Sequence, residues 1–151
     1  MKAFLILCLL AIYFPAFCQN DTTATKNYRA IKLVKDDSTF LALKDTAQKH
    51  LNIFIDSVSA HGKDTANYRF AIKSDFVEKN KHEHMWSGIS GYFKGDFKGI
   101  FIDSALEIKK IKTGDKVTIN QLDVEDWVII NKRTGKETGY YSEAYLNKKE
   151  N

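Results

Sequence analysis

Between Phe40 and Phe76 the apolar residues change their spacing, from one in every three or four positions to one in every two, and no other feature of the 151-residue chain restricts the fold as much. Phe40, Leu43, Ala47, Leu51, Phe54 and Val58 line up along one side of a helix. Lys44, Asp45, Gln48, Lys49 and Asn52 fall on the other side, facing water. The spacing predicts one helix of about five turns. Gly62 is a natural stop for it. From Tyr68 the period is two: Tyr68, Phe70, Ile72 and Phe76 alternate with Arg69, Lys73 and Asp75, as in a strand with one buried face.

The remaining punctuation belongs to hairpins. Residues 84–93 and 97–102 flank Lys94-Gly95-Asp96, a turn sequence. Gly114-Asp115 precedes a short strand over 116–120, and the apolar, β-branched run 127–130 turns through Arg133-Thr134-Gly135-Lys136 towards 137–141. Residues 142–149 suit a short closing helix. Before the main helix, residues 28–34 lean towards a strand, and Asp36-Asp37-Ser38 towards a helix cap. The fold class is therefore α+β: one long N-terminal helix packed on an antiparallel sheet of about five to six strands.

The first eighteen residues, MKAFLILCLLAIYFPAFC, have a different character. Lys2 supplies a positive start, and an apolar stretch follows that is short for a bilayer span. Pro15 ends it, and Ala16 and Cys18 place small residues at the positions a signal peptidase reads. We expect a signal peptide over 1–18, a flexible tail over 19–27 and a single domain over 28–151. The mature chain is then exported, periplasmic or secreted, and has no transmembrane helix. Both cysteines, Cys8 and Cys18, fall in the leader, so the domain needs no disulfide. The alternative at this end is a lipid anchor on Cys18, which bulky Phe17 disfavours.

Charge narrows the function. The chain carries +4 overall from 23 basic and 19 acidic residues, with no long basic run; Lys109, Lys110 and Lys112 are interrupted by Ile111. That is a mixed, solvated surface, unlike the concentrated basic face of a nucleic-acid binder. No Gly-rich phosphate loop, G-x-S-x-G elbow or cysteine nucleophile is present in the domain.

The segment His82-Glu83-His84-Met85-Trp86 is the most unusual. On a strand, His82 and His84 share a face and Glu83 takes the other. Two imidazoles could hold a metal ion, but the candidate third ligands, His50, His61 and Asp126, have no recognisable spacing. We therefore expect no metal and no cofactor. Glu83, His84 and Asp126 could act together as acid and base if burial moved a pKa towards neutrality. Asp126-Trp127 reads in two ways: Trp127 in the core with Asp126 orienting a turn, or Trp86, Trp127 and Tyr140 forming an aromatic surface beside Glu83 and His84. We expect Glu83, His84, Trp86, Asp126 and Trp127 to gather into one site, with the strands bearing His84 and Trp127 paired directly so that carboxylate, imidazole and indole meet.

The sequence FAIKSDF, EHMW, FKGIF, KTGDKVTI, EDWVI and GYY, in this order after a leader and a helix, resembles the YegJ-like family of bacterial proteins (domain of unknown function 2314). Its most specific pieces are Glu83-His84 with Trp86, Gly114-Asp115 with Val117, and Asp126-Trp127. The resemblance implies an α+β fold and brings no activity, substrate or cofactor. This chain departs from the pattern at Ile102-Asp103-Ser104-Ala105, where an Asn followed by Pro is usual, and at Tyr141-Ser142.

The expectation is an exported, non-catalytic module that binds a protein or a cell-envelope component, with Glu83, His84, Trp86, Asp126, Trp127 and Tyr140 as its candidate binding residues. The alternatives are a small hydrolase or metal-dependent enzyme using Glu83, His84 and Asp126, and an envelope lipoprotein anchored at Cys18.

Overall fold

A computed structural model describes residues 38–143 and residue 145. The leader with both cysteines, the tail, the strand expected over 28–34 and most of the helix expected over 142–149 lie outside these residues. Two helices open the described part, α1 (Ser38–Lys49) and α2 (Leu51–His61). Six strands follow: β1 (Tyr68–Glu78), β2 (Lys81–Phe93), β3 (Asp96–Phe101), β4 (Lys116–Asn120), β5 (Val124–Asn131) and β6 (Lys136–Gly139). A 3-10 turn, Gln121–Asp123, links β4 to β5. The strands form one antiparallel sheet in the order β4-β3-β2-β1-β5-β6. The class is α+β.

The single long helix does not form. The chain breaks at His50, whose φ and ψ of −105° and 10° leave the helical region. The His50 ring supplies the reason. Its Nδ1 lies 2.9 Å from the carbonyl oxygen of Thr46, while the backbone N–H reaches the same oxygen at 3.3 Å. A side chain inserted into the helical ladder in this way bends the axis. Most of the apolar stripe survives the break: Phe40, Ala47, Leu51, Phe54 and Val58 are buried, and Leu43 is half-buried.

Ala47, Leu51, Phe54 and Val58 cover one sheet face, while Phe40, ahead of them on α1, packs against His84. Phe54 is fully buried among Phe70, Phe97 and Trp127, with ring centroids 5.6 to 5.8 Å away. Ile72, Ile89, Ile119 and Ile129 complete this core. On the same side a smaller cluster of Met85, Phe101, Ala105 and Ile108 lies under the loop that joins β3 to β4. The opposite face carries Ala71, Trp86 and Val128, with Ile130 and Tyr140 against them.

Backbone sterics fix two joints. Lys94 and Gly95 turn β2 into β3 with φ of 50° and 88°, the doubly positive geometry of a tight hairpin. Gly139 has φ of 94°, and a Cβ there would lie 2.2 Å from the carbonyl oxygen of Trp127, so β6 can lie against β5 only with glycine at that position.

Candidate functional site

The register places β1 between the two segments singled out in the sequence. Lys73 of β1 is opposite Trp86 of β2 on one side and Asp126 of β5 on the other. The strands bearing His84 and Trp127 are thus not neighbours, contrary to the direct pairing considered above. A bulge brings the segments together instead. Lys73 pairs with Asp126 but Ser74 pairs with Val124, which leaves Glu125 as an extra residue in β5. Such a bulge re-aims side chains at its position. Here Glu125 and His84 meet, with Nδ1 of His84 2.6 Å from a carboxylate oxygen of Glu125. The second oxygen of Glu125 faces Lys44 of α1 at 3.5 Å, and Phe40 of α1 places its ring edge-to-face on His84.

Alternation along β2 separates the candidates. Glu83 points away from His84 and Trp86, towards the β3–β4 loop. There it accepts hydrogen bonds from the backbone N–H groups of Leu106, Glu107 and Ile108, the last two at 3.1 Å. Burial pushes its pKa up, but the three amides outweigh burial and hold the carboxyl below its ordinary value. Glu83 is a clasp for a loop.

Asp126 has a similar duty. It is fully buried and accepts from the N–H groups of Trp127, Tyr141 and Ser142 and from the hydroxyl of Ser142, at 2.6 to 3.1 Å. It pins the segment after β6 to the edge of the sheet. Trp127 is also fully buried and donates its indole N–H to the carbonyl of Ala47 at 2.8 Å. Trp127 therefore belongs to the helix-covered core, while Trp86 and Tyr140 face each other on the far side, 5.4 Å apart.

Of the six candidates, then, the register sets His84, Trp86 and Asp126 with Tyr140 on the face away from the core, although Phe40 of α1 reaches His84, and Glu83 and Trp127 on the helix side. Sequence reasoning missed Glu125 and Lys73. Lys73 is buried at 8% exposure and lies beside Asp126 in the register. Burial pushes its ammonium pKa down, opposed by the charges of Glu143, Glu125 and Asp126. Its polar place in the alternation read as solvated; only the covering of that face by neighbouring side chains buries it. Glu125 was invisible because a bulge leaves no mark in the apolar pattern.

The two histidines do not converge. His82 lies 2.7 Å from Asp75 and His84 lies on Glu125, each imidazole with its own carboxylate. Among the described residues no three His, Cys, Asp or Glu side chains gather as a metal-binding group.

Farther along the same face a groove of about 600 Å³ opens and reaches past Tyr68 and Thr65 to Gly62 at the end of α2. The row Gly88, Ile100 and Lys116 crosses it, from β2 through β3 to β4, and Arg69 stands at its β1 side. Gly88 keeps its floor low, and Ile100 is 49% exposed there. Arg69, Lys98, Lys116 and Lys132 stand around it, and its lining contains no carboxylate among the described residues. The sequence offered a partial signal, since Arg69 alternates with the apolar residues of β1. Nothing local showed that lysines from β3 and β4 would join it.

Among the described residues no helix is long and apolar enough to cross a membrane. No curated protein and no solved structure matches the chain significantly. A family does match, over residues 37–149, which takes in every element from α1 to β6: the chain belongs to the family of uncharacterized proteins conserved in bacteria designated DUF2314.

Proposed function

We propose that the protein is an exported, non-catalytic binding module that engages a protein or other cell-envelope component through the sheet face opposite its helices. One observation carries this reading. The residues best suited to catalysis are held in folding contacts, Glu83 by three amides and Asp126 by three amides and a hydroxyl, whereas the far face presents an open groove. Acid–base chemistry by Glu83, His84 and Asp126 together finds no support, because Glu83 and His84 occupy opposite faces of β2.

The exposed apolar residues of the far face add to the case. Ile100 and Ile102 are 49% and 39% exposed on alternate positions at the end of β3 and its exit. Apolar side chains beside a groove are the usual mark of a contact surface. The test is affinity capture of the tagged protein from the periplasmic fraction of its host, followed by mass spectrometry. A partner retained by the parent chain and lost on Ile100→Asp supports the module. Equal recovery of every captured species by parent and variant, or turnover of a small substrate dependent on His84, overturns it.

A further inference from the structure

We infer that the groove recognises an acidic peptide segment that carries apolar side chains between its carboxylates, a reading that rests on the binding-module function above and names its ligand. Three observations lead there. The first is charge. Arg69, Lys98, Lys116 and Lys132 surround the groove, and no carboxylate of the described residues lines it; Asp96, which lies 3.6 Å from Lys98, stands outside.

The second is the distribution of that charge. The cations do not converge on one point. Arg69 is on β1, Lys98 on β3, Lys116 on β4, and Lys132 follows β5. Neighbouring strands lie about 4.8 Å apart, so β1 and β4 are separated by roughly 14 Å. One phosphate or one carboxylate cannot satisfy both ends. An extended peptide, at about 3.3 Å per residue, covers that distance in four or five residues, and an acidic residue at every second position would meet successive cations.

The third is the floor. Ile100, 49% exposed, with the glycine Gly88 paired to it makes it apolar and low. A uniformly polar polyanion would leave Ile100 uncovered, whereas an extended peptide that turns its apolar side chains onto the floor covers it and leaves the alternate acidic side chains to the long cationic side chains of the rim. The groove opens on a sheet face whose strands, β4 at the edge apart, are paired on both sides, so a peptide laid across them gains no ladder hydrogen bonds. Recognition rests on side chains, and charge reversal should therefore invert it.

The experiment uses fluorescence anisotropy on the chain purified as its host processes it, with a fluorescein-labelled octapeptide alternating glutamate and leucine. Binding is expected in the range of about 1–100 μM, weakening as sodium chloride is raised. The double variant Lys98→Glu, Lys116→Glu should weaken it about tenfold or more, and should acquire affinity for the matching peptide of lysine and leucine. Lys136→Glu, on β6 and outside the groove, should bind like the parent. Melting curves establish that the variants are folded, and the gain of the basic peptide is an outcome that misfolding does not produce. Unchanged affinity in the double variant overturns the inference, as does inorganic polyphosphate binding as tightly as the peptide. A periplasmic partner still captured by the double variant overturns the acidic-peptide ligand and leaves the binding module standing; no partner captured by any form overturns both.

Discussion

His84 and Glu125 are joined side chain to side chain at 2.6 Å although the strands that carry them are not neighbours in the sheet. The hydrogen bond to Glu125 holds the His84 pKa above its ordinary 6.5, against the opposing effect of burial, with further support from the charges of Glu125 and Asp75. A raised pKa in the folded state means that folding favours the imidazolium. Its contribution is complete below the unfolded value and is lost as pH rises through the folded value. Stability should therefore decline over the pH range just above 6.5, and Glu125→Gln should flatten that decline. Denaturant melts across this range, with imidazole chemical shifts of His84 followed by NMR, provide the check. A His84 titration identical in parent and Glu125→Gln would refute the coupling.

Glu83 should show the reverse dependence. Its carboxyl lies below the ordinary 4.5 because three amides together outweigh burial. The contribution it makes is present above that value and lost as pH falls through the lower folded one. Replacing it by Gln should loosen the β3–β4 loop without unfolding the sheet. Hydrogen exchange at the Leu106, Glu107 and Ile108 amides reads this directly; unchanged protection there would show that the clasp does not hold the loop.

Asp126→Ala should cost about 3 kcal/mol or more, because it strands several buried donors at once. The loss should concentrate after β6, where Tyr141 and Ser142 depend on this carboxylate. Urea melts and trypsin sensitivity of the C-terminal segment measure it. A variant as stable as the parent would mean that water or other groups replace Asp126.

Phe54→Ala should cost about 3–5 kcal/mol through the cavity left among Phe70, Phe97 and Trp127. A loss below about 1 kcal/mol in a denaturant melt would contradict its full burial.

Cleavage is expected after Cys18, giving a mature chain that begins with Gln19. Intact-mass spectrometry of the exported protein decides it. A chain beginning with diacylated Cys18 would establish the lipoprotein, and retained Met1 would remove the signal-peptide assignment.

Periodicity alone determined that this chain builds helix first and sheet afterwards. Phe40, Ala47, Leu51, Phe54 and Val58 form their stripe, and Lys94-Gly95 makes its turn, because these depend on contacts within a few residues. The break at His50 was hidden, since a side chain that bonds the preceding turn leaves the apolar spacing intact. Alternation along β2 placed Glu83 opposite His84 and Trp86, but the reading of Asp126 as orienting a turn did not extend to its hold on Tyr141 and Ser142. Strand order was beyond its reach, because period-two patterns name a face and not a neighbour. Only the tertiary structure inserted β1 between β2 and β5, used a bulge to turn Glu125 onto His84, and buried Lys73. It alone, too, gathered Arg69, Lys98, Lys116 and Lys132 around one groove from four separate stretches of chain. Pairing and register are long-range, set by the summed packing of two sheet faces, and no local window of sequence contains that sum.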